Sequence, residues 1–154
     1  MDSNNRKNEK HLLGQGIYFF DNLDMAFRNI DMLDHEKDIK TIVAEINVTD
    51  SEFLNLDEVK NLNEFRKFCS QLYQKMEKEG IELVIKGKSK NVALLTYRCF
   101  FLDLFKEEKG YKVVSKTFAK DNPQYAEKVI GFEKYLDYRL LETYICVIPE
   151  MNIS

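Results

Sequence analysis

A chain of 154 residues, 44% hydrophobic and 12% aromatic, has the length and the apolar content for one domain with a sizeable core. Its formal net charge of -3 and its pI near 5.5 leave no electrostatic footprint for duplex nucleic acid. No apolar run reaches the length of a membrane span, and Met1 to Lys10 is polar with no hydrophobic signal region, so the expectation is no membrane and a cytoplasmic location.

Met1 to Lys10 carries no apolar residue after Met1, which predicts a flexible arm ahead of a single domain over 11–154. The stretch His11-Leu12-Leu13-Gly14-Gln15-Gly16-Ile17-Tyr18-Phe19-Phe20-Asp21 follows. Two glycines one residue apart let the backbone turn tightly and approach another group closely, because neither has a Cβ. Ile17 to Phe20 reads as a short buried strand. Asp21 or Asn22 can cap a helix over 22–33, in which Leu23, Phe27 and Ile30 recur at helical spacing.

Beyond a charged turn at Asp34 to Asp38, Ile42, Ala44, Ile46 and Val48 alternate along 41–48 as a half-buried strand should. From Asp57 to Glu79 the spacing of Val59, Leu62, Phe65, Cys69, Leu72 and Met76 predicts a helix, and Gly80 stands where a terminating glycine belongs. Its opposite face, with Lys60, Asn63, Lys67, Gln71, Gln74 and Lys78, is an ordinary solvated one. The Gly87-Lys88-Ser89 triplet lacks the preceding glycine of a phosphate loop, because Glu82 holds that place; 86–90 reads as an exposed basic loop.

A second long helix over 91–109 is apolar nearly all round and is expected to be the central buried helix, closed by Gly110. Tyr111 to Phe118 reads as a strand, Asp121-Asn122-Pro123 breaks regularity, and 124–139 reads as a loop placed to meet a substrate. The final strand, 140–148, ends at Pro149 and puts Glu142, Tyr144 and Cys146 on one face. Cys69, Cys99 and Cys146 each sit in an apolar pattern without a CxxC or a Cys-His ligand pair. They are expected to be reduced core thiols, and no metal is expected.

Gly14-x-Gly16-Ile17-Tyr18-Phe19-x-Asp21, with Ala26 five residues on, resembles the G-x-G-I-Y-F-A-D segment of the poly(ADP-ribose) polymerase type of ADP-ribosyltransferases. The chain also resembles a group of small bacterial proteins with a similar H-x-L-G-x-G-I-Y-F segment. Lys112 to Phe118 with Pro123 and Tyr125 looks like that group's D-T-V-R-G-x-F-x-E-G-x-P-x-Y, and Glu142 to Val147 looks like its K-T-H-I-Q-I-C-V-R. Two departures alter such a site: the group's Glu-Gly falls on Lys120 and Asp121, and its His falls on Glu142. The last strand is similar to the polymerase-type N-E-Y-I-V-Y as well, whose Glu again falls on Glu142.

The resemblance implies an α+β fold of ADP-ribosyltransferase type, with a mixed or antiparallel sheet built from 17–20, 41–48, 111–118 and 140–148 and with flanking helices. It implies NAD as substrate, no metal, Gly14, Gly16, Tyr18 and Asp21 at the cofactor, with Tyr18 over the nicotinamide, and Glu142 as the catalytic carboxylate. Cleavage of the nicotinamide bond passes through an oxocarbenium-like state that such a carboxylate would stabilise. In that fold a first strand carrying a His in an H-G-T or H-G-S segment comes earlier, and nothing here fills its place. Either the chain starts inside the domain or this member lacks the residue that anchors the ribose.

The implied function is ADP-ribosyl transfer from NAD to an unknown acceptor, protein or nucleic acid. The alternative is an inactive transferase-like module that binds a nucleotide or a cognate protein partner, as half of a toxin and antitoxin or phage-defence pair. On the bland reading, Gly14 and Gly16 make a turn, Tyr18, Phe19 and Phe20 are core, and Glu142 is an ion-paired or solvent-facing strand residue. The domain is then an unrelated α+β one.

Overall fold

The computed structural model describes residues 12–30, 40–82, 90–120 and 140–150. The expected arm, the 34–38 turn, the 86–89 part of the basic loop, Asp121 to Pro123 and 124–139 lie outside the described residues. In chain order come β1 (Ile17–Phe20), α1 (Leu23–Ile30), a short 3₁₀ turn (Asp50–Glu52), β2 (Phe53–Asn55), α2 (Val59–Lys78), α3 (Lys90–Lys109), β3 (Val113–Lys120) and β4 (Leu140–Val147). The architecture is mixed α+β.

The four strands form one sheet in the order β1-β4-β3-β2. β4 runs antiparallel to both β1 and β3, whereas β2 is parallel to β3, so the sheet is mixed. A parallel neighbour needs a long crossover; here α2 and α3 lie between β2 and β3 in the chain.

Cross-strand partners share a face of a sheet, so the register reads out the core directly. Tyr18, Cys146, Val114 and Leu54 align as one row across all four strands. Phe65 from α2 and Leu102 and Phe105 from α3 pack on that row together with Leu13 and Leu56. Phe105 is the hub: its ring lies 5.4 Å from Phe65, 5.1 Å from Phe68 and 5.6 Å from Tyr111. Burying such a side chain contributes about 2 to 3 kcal/mol.

Both long helices end as their glycines require. Gly80 (φ +67) and Gly110 (φ +74) adopt the left-handed conformation that a side chain resists. The Gly80 N–H bonds the Glu77 carbonyl while the Ile81 N–H bonds that of Met76; Gly110 to Glu107 and Tyr111 to Lys106 repeat the pattern. These are Schellman closures. At the other end of the chain Asn22, rather than Asp21, caps α1, its Oδ1 accepting from the Met25 N–H at 2.9 Å.

Four expectations need correction. Residues 17–20 form a strand but not a buried one: Ile17 is exposed and Tyr18 to Phe20 are half-buried, since β1 stands last in the sheet order. Residues 41–48 are not a strand: 40–49 holds no regular structure, and Ile42 and Val43 are 84% and 88% exposed. Alternation makes a strand possible, but a backbone partner makes it real, and the place beside β3 is taken by Phe53–Asn55, which delivers Leu54 to the core. Over residues 23–27 of α1 the buried residue is Met25, while Leu23 and Phe27, two residues of the face its spacing suggests, are half exposed. Over residues 96–109, α3 buries one side through Leu102, Phe105 and Lys106 and leaves Phe100 exposed; it flanks the sheet instead of running through the centre.

Candidate functional site

The Gly14–Gly16 turn leads into β1, and its peptide groups are bonded to the rest of the chain at long range. Tyr18 donates its hydroxyl to the Gly14 carbonyl at 2.6 Å and accepts the Leu13 N–H at 2.8 Å. From α3, the Asp103 carboxylate accepts the Gln15 N–H at 2.8 Å. Lys106 donates to the carbonyls of Leu13 at 3.1 Å and Gln15 at 2.9 Å and pairs with Asp103 at 2.7 Å. The Cys146 thiol adds a bond to the Gln15 carbonyl at 3.4 Å.

Lys106 is a buried cation, only 2% exposed. Burial of an ammonium is tolerated only where a counter-charge and further acceptors replace water. Asp103 and two peptide carbonyls supply them. The glycines are required by what lies against them: a Cβ at Gly14 (φ +82) would run into the Asp103 carboxylate, and one at Gly16 (φ +153) into the Cys146 sulfur and the Val147 carbonyl. The close approach that these glycines permit is thus to α3 and β4 of the same chain.

Burial, with the Cys146 thiol close by, pushes the Tyr18 phenol well above its ordinary range. Burial likewise raises the thiols of Cys146 and Cys99, only partly offset by Lys106 at Cys146 and by the Gly14 backbone and Arg98 at Cys99. All three groups are protonated at neutral pH, which makes the thiols poor nucleophiles. None of the three cysteines is in a disulfide; Cys146 is buried and the other two are half-buried.

Tyr18 and Glu142 lie on the same face of the sheet, the one packed by α2 and α3. Tyr18 pairs with Cys146, and Glu142 stands four residues along β4 from it, roughly 13 Å at the rise of a strand. An aromatic row intervenes: Tyr144 has Phe20 at 5.2 Å and Phe118 at 5.8 Å. Glu142 itself is 3% exposed and accepts the Tyr144 hydroxyl at 2.7 Å. Beside it, Arg98 lies 5.6 Å over the Phe118 ring.

Asp21 is placed elsewhere. It is exposed at the rim of a cleft of about 680 Å³ along the free edge of β1, where its Oδ1 accepts from Asn22 at 2.8 Å. Tyr18 and Phe19 from β1, Ala26 from α1 and the stretch 40–46 form the walls. Glu142 does not line this cleft. The sequence-derived site residues therefore divide in two: the tied turn with Tyr18, which also lines the cleft that Asp21 rims, and the buried Glu142, which does not line it.

Sequence reasoning missed Asp103 and Lys106, the pair that holds the turn. Their signal was present as a carboxylate inside the apolar run Phe100 to Phe105, where a solvated helix face has no reason to be, with an opposite charge three residues on, just after the run. It also missed Asp57. This carboxylate just beyond β2 takes Lys116 Nζ at 2.7 Å, the Thr117 N–H at 3.1 Å and the Thr117 hydroxyl at 2.6 Å, finishing the β3 edge where β2 stops. Partial burial works against its charge, but the bonds from Lys116 and Thr117 outweigh that and hold its carboxyl below the usual range.

Among the described residues no group of His, Cys, Asp and Glu is arranged to hold a metal ion, and no helix is long and apolar enough to cross a membrane. Comparison of the chain with protein-family models, with curated proteins and with solved structures gives no match.

Proposed function

We propose that this chain is an ADP-ribosyltransferase-like module that acts by binding a partner protein rather than by transferring ADP-ribose. One observation carries this reading. Stacking of Tyr18 on nicotinamide, with the Gly14–Gly16 backbone along NAD, needs an open turn; here the Tyr18 hydroxyl and the peptide groups of Leu13, Gly14 and Gln15 bond within the chain. The residues that would cradle NAD thus fit it poorly, and no transfer step is built on them.

The partner surface is the cleft along β1. Leu23, Ile42 and Val43 line it and are each at least half exposed. Exposed apolar side chains gathered in this way favour protein contact over a phosphate-bearing ligand. A cognate protein, as in a toxin and antitoxin or phage-defence pair, is the kind of partner the surface suits.

Transfer from NAD to a protein or nucleic-acid acceptor is the second reading, favoured by Tyr18 and Glu142 sharing one sheet face. The two are separated by nicotinamide release from labelled NAD, measured with the chain and with Glu142→Gln. The binding reading expects no release above the protein-free rate from either. Release by the chain that falls about 10²-fold in Glu142→Gln would overturn the binding reading, and label appearing on an added protein or nucleic acid would establish transfer over hydrolysis. A photo-crosslinking residue at position 42, set against one at the solvated Lys67, then tests the cleft: a discrete protein adduct from position 42 alone is expected.

A further inference from the structure

We propose that a second cleft, between the C-terminal end of α2 and the middle of α3, binds an organic ammonium ion. It measures about 720 Å³ and lies apart from the Gly14–Gly16 turn and from β1. Three aromatic rings line it, Tyr73 from α2 and Tyr97 and Phe101 from α3. Two carboxylates, Glu77 and Glu82, stand on either side of Gly80, and Met76 and Ile81 complete the apolar wall.

That combination selects a class of ligand. The face of an aromatic ring carries negative electrostatic potential and attracts cations whose hydration is weak. Carboxylates at the rim add attraction and repel anions. A strongly hydrated metal ion gains little from rings and methionine, whereas an alkylammonium group offers methyl or methylene surface to the rings and its charge to the carboxylates. No lysine or arginine lines the cleft among the described residues; Lys75 and Lys78 belong to the same last turn of α2 but do not line it. The negative end of the α2 dipole adds to the field.

The cleft is also held in shape before any ligand arrives. Met76, Glu77, Gly80 and Ile81 are the residues of the Schellman closure, with the Ile81 N–H on the Met76 carbonyl at 2.9 Å and the Gly80 N–H on that of Glu77 at 3.2 Å. A preformed wall lowers the ordering cost of binding. The same ammonium chemistry is offered by a free small cation or by a lysine or methylated lysine of another polypeptide.

The test is a titration followed by the ring resonances of Tyr73, Tyr97 and Phe101, using choline, its uncharged carbon isostere dimethylbutanol, and a short neutral peptide holding one trimethyl-lysine. Choline is expected to bind about fivefold or more tighter than the alcohol. A peptide tighter than choline assigns the ligand to a protein, and the reverse assigns it to a small molecule. Glu77→Gln with Glu82→Gln, both exposed, is expected to weaken choline about threefold and leave the alcohol unchanged. Tyr73→Leu, at a half-exposed position, is expected to weaken choline by a similar factor. Equal binding of choline and alcohol, or no movement of the rings with any of the three probes, would overturn the proposal.

Discussion

Residues 12–20 and 40–49 both contribute to the cleft along β1 and both read as apolar stretches, yet they have opposite fates. The first is fastened to distant parts of the chain: Gln15 bonds Asp103 and Cys146, 88 and 131 positions away, and β1 pairs with β4. The second has the cleaner alternation and no regular structure, and the side-chain bonds within it are short in range, such as Asn47 to Glu45 at 3.3 Å. Periodicity tells which side chains can share a face. Whether that face is used depends on partners contributed from elsewhere.

Substitutions sharpen this contrast, and the largest effect is expected at Lys106. Lys106→Met removes a buried cation that holds two turn carbonyls and Asp103, and is expected to lower the unfolding free energy by about 2 to 4 kcal/mol in urea titration. Gly14→Ala comes next, at about 2 to 3 kcal/mol, because it joins a left-handed backbone to a collision with Asp103. The same substitution in an Asp103→Ala background is expected to cost about 1 kcal/mol less, leaving the backbone component. Equal costs in the two backgrounds would mean that Asp103 does not press on the turn.

The sequence made the helical layer and three of the four strands readable because their signals are local. The 3.6-residue spacing of Leu62, Phe65, Cys69, Leu72 and Met76 and the terminating Gly80 and Gly110 depend on nothing outside the segment. β2 was not readable, since three residues leave no period to detect; Leu54 is recognisable only from its place beside Val114. The turn was found but its use was not. Glycine spacing shows that something comes close, and only the coordinates show that Asp103 and Cys146 do. Strand alternation groups Glu142 with Tyr144 and Cys146, but the burial of Glu142 depends on helices that alternation cannot see.

Smaller effects probe the edges. Asp57 has a folded-state pKa below its ordinary value of 3.8, so the stability it contributes is present above that pH and fades as pH falls through the lower folded value. Asp57→Asn is therefore expected to cost less than about 1 kcal/mol at pH 7, as partly exposed pairs do, and to flatten the acid limb of stability against pH below about 4. Ile42→Ser and Val43→Ser, at the most exposed apolar positions, are expected to change stability by less than about 0.5 kcal/mol each. A large loss at either would mean that 40–49 is packed, and the contrast with 12–20 would fail.

The account rests on the turn being closed by its own chain, and hydrogen exchange at the Gln15 and Leu13 amides tests this most directly. Both N–H groups are bonded, to Asp103 and to Tyr18, and amides so held exchange through opening of the surrounding structure. The expected result is strong protection of both amides without ligand, unchanged by saturating NAD. Rapid exchange that becomes protected when NAD is added would show an open turn that the nucleotide fills, and would contradict the binding-module reading at its source.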